Sequence, residues 1–175
     1  MKKLLLTTIV LCLAVSTAWT QKFDFTTKSR DNTLYYKITN NSSNPKTVAL
    51  EPEFNYNDDY KTYDTPPSGT LIIPNIITHD SNNYSVTSIG DNAFYDCSDL
   101  TGSLTIPDGI KSIGASAFAN CTGLNGALII GDSVTSIGDG AFNGCYSFSG
   151  SLTIPNAVKS IGNNAFSGSL TIGIA

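Results

Sequence analysis

Charge is scarce in this chain. Of 175 residues, 10 are Lys or Arg and 14 are Asp or Glu, and His79 is the single histidine. No stretch gathers basic residues into a stripe able to neutralise phosphates, so nucleic acid is not an expected partner. His79 has no cysteine or glutamate at a ligand interval, which argues against the spaced ligand sets of metal sites; no metal and no cofactor is expected. Acid–base chemistry needs carboxylates converging on a cleft. The acids here are scattered, so an enzyme is not expected either. Long apolar runs are missing with one exception: Leu4 to Val15 is almost unbroken, follows Met1-Lys2-Lys3 and precedes Ser16, Thr17 and Ala18. That order is the basic, apolar and small-residue sequence of a secretory signal. The run is also shorter than the roughly 20 residues a spanning helix needs. We therefore expect a signal peptide over residues 1–20, cleaved after Ala18 or after Thr20, no transmembrane segment, and a secreted or cell-surface product. Cys12 lies inside the apolar run and lacks the preceding small residues of a lipid-attachment site. Without it three cysteines remain, an odd number that cannot pair completely within one chain.

What the chain has in quantity is Gly, Ser, Thr and Asn, together with enough Ile, Leu, Val and Phe to require a buried core. These residues recur. Ile89-Gly90-x-x-Ala93-Phe94 returns at Ile113, Ile137 and Ile161, always at a 24-residue step. The same step carries Val86, Ile110, Val134 and Val158; Leu104, Leu128 and Leu152; and Cys97, Cys121 and Cys145. So regular a period is the signature of stacked structural units. In Ser103-Leu104-Thr105-Ile106-Pro107 two apolar residues alternate with hydroxyl residues, the pattern of a strand with one buried face, and Pro107 ends it for want of an N–H. Asp108-Gly109 then turns the chain, Ile110 to Ile113 is a second extended segment, and Gly114 is expected to permit a bend. The fold class that follows is mainly β: a solenoid of 24-residue coils, rich in strand and turn, with little helix. One coil cannot bury enough apolar surface to offset the entropy of ordering it, so coils must stack. Phe94, Phe118, Phe142 and Phe166 should form one internal column. Cys97, Cys121 and Cys145 should form another, as buried thiols in place of disulfides, because stacked in-register side chains point parallel.

The fullest unit, Leu104 to Cys121, reads Leu-x-Ile-Pro-x-x-Ile-x-Ser-Ile-Gly-x-x-Ala-Phe-x-x-Cys and resembles the BspA-like leucine-rich repeats. The likeness covers about residues 71 to 172, and Tyr35-Tyr36-Lys37-Ile38 and Tyr84 to Gly90 resemble the family's usual lead-in. What the resemblance implies is a role in adhesion at the surface of host-associated bacteria, with extracellular or host surface proteins as partners.

Two intervals depart from the period. Ile73 to Ile89 is a step of 16 where Ile106 to Ile113 is a step of 7, so the first coil carries a nine-residue insertion that suits an added hairpin over Ile76 to Tyr84. Phe166 to Leu170 is a step of 4 where Phe142 to Leu152 is a step of 10, so the last coil is shortened by six. It is followed by Leu170 to Ala175, an apolar strand whose edge invites self-association. Residues 21–70 have no repeat. Leu34, Tyr36 and Ile38 alternate with polar residues, as does Thr47 to Leu50, so an N-terminal β cap with a hairpin precedes a solenoid of about four coils over 71–175. Tyr56, Tyr60 and Tyr63 with Asp58 and Asp59 form either a solvated loop or an aromatic, acidic patch for contact with sugar or calcium. His79 is expected in a surface loop, and Asp91, Asp108, Asp132 and Asp139 are expected to bond turn backbones.

A ligand is expected on surfaces that repeat, foremost the outward strand residues Ser103, Thr105, Ile129, Ser151 and Thr153. The leading functional expectation is an adhesin-like protein-binding module. A carbohydrate-binding module or a truncated scaffold without its own ligand are the alternatives.

Overall fold

The computed structural model describes residues 23–29, 32–42, 44–53 and 63–169. Its strands are β1 (Phe25–Ser29), β2 (Asn32–Asn40), β3 (Lys46–Glu51), β4 (Ile76–His79), β5 (Asn82–Ile89), β6 (Leu104–Ile106), β7 (Ser112–Ile113), β8 (Leu128–Ile130), β9 (Ser136–Ile137) and β10 (Ser160–Ile161). No helix occurs among the described residues. The expected mainly β solenoid is the observed fold.

Each coil contributes to parallel ladders at the repeat's own step. Ser88, Ser112, Ser136 and Ser160 align, as do Ile89, Ile113, Ile137 and Ile161. On a second side β6 pairs β8, matching Leu104 with Leu128, Thr105 with Ile129 and Ile106 with Ile130. The equivalent segment of the fourth coil, Leu152 to Ile154, is not a strand. The amide of Gly126 reaches Gly102 O, one full period back, whereas the amide that reaches Gly126 O belongs to Ser149, one place short of a period. That slip takes the segment out of the ladder.

The third side is a turn. In residues 115–120 the short stretch around Ala117 and Phe118 does not wind into a helix, because Ser116 and Asn120 both adopt positive φ (51° and 62°). The corresponding residues of other coils do the same, with Asn92, Gly140 and Asn164 in one column and Asp96, Gly144 and Gly168 in the next. A left-handed residue cannot continue a right-handed helix, and two of them per turn make two corners.

Inside run the aromatic and thiol columns. Phe94, Phe118, Phe142 and Phe166 stack with ring centroids 5.0, 5.4 and 5.3 Å apart and nearly parallel planes. Cys97, Cys121 and Cys145 are buried and unpaired. Cys121 donates to Phe94 O at 3.1 Å and Cys145 to Phe118 O at 3.0 Å, so these two thiols bond carbonyls of the preceding coil, whereas Cys97 reaches Tyr95 O of its own turn at 3.8 Å.

The recurring glycine of the repeat is required for a reason other than bending. Gly90, Gly114, Gly138 and Gly162 do not have positive φ. A Cβ on Gly138 would stand 2.5 Å from Ala115 N and 2.6 Å from Gly114 C. The expectation of a flexible bend is corrected to one of close approach: successive coils touch backbone to backbone here.

The N-terminal hairpin is observed as β2 and β3, antiparallel, and a strand not expected from the sequence, β1, pairs with β2. The unit does more than lie over the first coil. β3 runs parallel to β5 and matches Leu50 to Ile89, so Leu50 extends the isoleucine column by one place and the sheet is continuous from β1 to β10. The amides of Gly90, Gly114, Gly138 and Gly162 donate in turn to the carbonyls of Leu50, Ile89, Ile113 and Ile137, at 2.7 to 2.8 Å. The insertion in the first coil is the antiparallel pair β4–β5. Its turn, Asp80-Ser81, has positive φ at both residues (47° and 61°), as in the two-residue type I′ turns that suit strand twist.

Candidate binding surfaces

Burial alternates along the β6–β8 side as the sequence pattern requires. Leu104, Ile106, Leu128 and Ile130 face the core, while Ser103, Thr105 and Ile129 are exposed, Ile129 to 52%. Ser151 and Thr153 are exposed as well, beyond the point where the ladder slips. Ser103 also serves the fold, since its Oγ accepts the amide of Ala127 at 3.1 Å. Thr105 and Ile129 border a shallow depression of about 360 Å³ with Asn75, Pro107, Asp108 and Asp132. Thr105 and Ile129 thus pair on one side of the solenoid, with Ser103 next to them; Asn75, from the lead-in to the first coil, borders the same depression and was not singled out from the sequence.

The acids have structural partners. Asp91 Oδ1 accepts Ala115 N at 2.8 Å, Asp108 Oδ1 accepts Asp132 N at 2.9 Å and Asp139 Oδ1 accepts Asn163 N at 2.6 Å. For these three acids the expected bonds to turn backbones are observed, and each bond reaches the next coil. Among the described residues no group of three His, Cys, Asp or Glu side chains is placed to hold a metal. No described helix is long and apolar enough to cross a membrane.

His79 is a strand residue rather than a loop residue. It closes β4, its ring stacks on Phe25 at 4.0 Å between centroids, and Nε2 lies 3.4 Å from Asp80 Oδ2. Tyr63 is also displaced from expectation. It is 4% exposed, donates its hydroxyl to Ala93 O and packs 5.6 Å from Tyr35. Burial pushes its phenol well above the ordinary range. Tyr63 therefore belongs neither to a solvated loop nor to an exposed sugar platform; Tyr56, Asp58, Asp59 and Tyr60 lie outside the described residues. Burial likewise raises the thiol column, Cys145 to about 12 and Cys97 and Cys121 above their ordinary range. A thiol held protonated in this way is a poor nucleophile near neutral pH.

Regularly repeated coils, an apolar strand ladder and a buried phenylalanine column define a leucine-rich-repeat protein. Residues 74–173 match, in six copies, the family described as BspA type leucine rich repeat region. More than half of the chain is matched, and the protein belongs to that family. Among solved structures it is similar to a leucine-rich repeat protein from Bacteroides ovatus, at 32% identity and a TM-score of 0.62, over 83% of this chain and 33% of that one. A leucine-rich repeat protein from Bacteroides capillosus is 25% identical with a TM-score of 0.56, over 83% of this chain and 94% of the other. A leucine-rich repeat protein of T. pallidum shares the fold at 21% identity and a TM-score of 0.50, over 78% and 64%. The chain thus spans about a third of the length of the Bacteroides ovatus protein. Comparison with curated protein sequences gave no match.

Proposed function

We propose that this chain is an exported surface module that binds proteins, extracellular or on a host or bacterial surface, through its β6–β8 side. The observation that carries the reading is the exposed, in-register row of Thr105 and Ile129, flanked by Ser103, Ser151 and Thr153. A solvent-facing Ile at the centre of a low-charge, shallow surface contributes apolar area to a broad contact, and a broad contact suits a protein better than a small molecule. Export rests on the basic, apolar and small-residue order of residues 1–20, which lie outside the described residues. Binding assays of the full chain against matrix and plasma proteins test the proposal. At least one should bind, and Ile129→Glu should abolish that binding while the melting temperature holds. Binding that survives Ile129→Glu would place the contact elsewhere.

Self-association is a second reading. The edge expected at Leu170 to Ala175 lies outside the described residues, but β10 is exposed, with Ile161 at 48% against 2% for Ile113 and Ile137. Ile154, at 37%, lies in the same coil. A second copy covering these side chains would make the sedimentation coefficient rise with concentration, and Ile161→Lys should abolish the rise. A chain that stays monomeric at every concentration would remove this reading.

A further inference from the structure

The turn side of the solenoid carries a feature the β6–β8 reading does not use. A depression of about 500 Å³ crosses it, lined by residues of all four coils, among them Tyr95, Ser116, Asn120, Asp139, Asn143 and Asn164. It shares no residue with the depression at Ile129. Its origin is local. In the column Asn92, Ser116, Gly140, Asn164 the third coil has a glycine, and in the column Tyr95, Ala119, Asn143, Ser167 the second coil has an alanine. Two missing side chains in adjacent coils leave a notch, walled by Tyr95 at one end and by Asn163 and Asn164 at the other. Three coil steps of about 4.8 Å give it a length of about 14 Å along the axis.

The lining has a definite chemistry. Among the described residues, the side chains of Ser116, Asn120, Asn143 and Asn164 make no hydrogen bond, and each carboxamide offers an acceptor and two donors. A hydroxyl is likewise donor and acceptor, so rows of amides match rows of hydroxyls in either orientation. Asp139 keeps a second carboxylate oxygen as a further acceptor, Oδ1 being bonded to Asn163 N. The lining contains no Lys or Arg, so an anionic ligand would meet Asp139 without a compensating cation. We propose that this notch binds a short neutral oligosaccharide.

Gly140 supplies a test that spares the fold. Its φ is +59°, that of Asn92 and Asn164 in the same column is 58° and 55°, and a Cβ there would meet nothing nearer than Ser116 Oγ at 3.5 Å. Gly140→Asn therefore restores the repeat's own residue while filling the notch. The full chain is titrated with maltotriose, cellotriose and mannotriose at millimolar concentration, with 3′-sialyllactose as the anionic arm, following the asparagine side-chain amide resonances by NMR. At least one neutral trisaccharide should give saturable shifts at Asn120 and Asn143. Gly140→Asn should weaken that binding by about tenfold or more, the equivalent of one or two hydrogen bonds, and leave the melting temperature unchanged. No shift with any neutral trisaccharide, an unaltered affinity in Gly140→Asn, or tighter binding of the sialylated sugar would each overturn the assignment. Ile129→Glu should leave sugar binding intact, so this site and the protein-binding side fail independently.

Discussion

Phe118→Ala is the sharpest test of the stacked core. Phe118 has no solvent exposure and lies between two parallel rings, Phe94 at 5.0 Å and Phe142 at 5.4 Å. Truncating a buried phenylalanine costs about 3–5 kcal/mol through lost transfer energy and an unfilled cavity. The neighbours cannot close that cavity easily, because each is held in its own coil by ladder bonds on either side. The amides of Gly114 and Gly138 donate to the carbonyls of Ile89 and Ile113. For a domain of this size each kcal/mol moves the midpoint by about 2–4 °C, so a fall of about 6–20 °C is expected by differential scanning calorimetry. Phe166→Ala is the internal control. Phe166 is only partly buried and stacks on one described neighbour, Phe142, so its truncation should cost about half as much. Equal losses for the two variants, or an unchanged midpoint for Phe118→Ala, would refute a column whose interior members are held from both sides.

Further outcomes follow from the same geometry. Gly138→Ala should destabilise by about 1–3 kcal/mol or more, since its Cβ meets only backbone of the preceding coil; urea denaturation measures it, and a neutral result would contradict the close approach. Cys97, Cys121 and Cys145 should resist a thiol reagent in the folded chain and titrate as three free thiols in denaturant, and a smaller count from these positions would mean a disulfide. Stability should also fall in alkali. The Cys145 thiol, raised from its ordinary 9.0 to about 12, is protonated in both states below about pH 9, ionises first in the unfolded chain above it, and so favours unfolding progressively between pH 9 and 12. Cys145→Ala should flatten the part of that decline due to this thiol; a chain whose stability is constant from pH 8 to 11 would argue against buried thiols.

The period alone made most of the solenoid legible, because stacked coils force the same side chain to the same place. Ile89, Gly90, Ala93, Phe94 and Cys97 each face a fixed neighbour, and each therefore recurs. The hairpin at Asp80-Ser81 was legible as an interruption of that period. Leu50 was not, although it occupies the isoleucine column. Its distance from Ile89 along the chain is no multiple of the period, so self-comparison never aligns the two, and only the pairing of β3 with β5 does. β1 was missed because Phe25 to Ser29 has little apolar alternation, its inward residue Phe25 packing against Tyr36 and His79. The glycine column was read correctly as position and wrongly as cause, since a bend and a steric contact leave the same mark in a sequence. The notch at Gly140 and Ala119 was invisible for the opposite reason, as it consists of departures from the repeat.

The bonds from Asp91, Asp108 and Asp139 all run one way, each aspartate accepting the amide of a residue one coil nearer the C-terminus. During synthesis the N-terminal coils leave the ribosome first. Every completed coil then presents these acceptors, together with the turn-side amides that donate to the next coil, to a segment still emerging, so the molecule can elongate like a crystal growing from a seed face, with the β1–β3 unit as the seed.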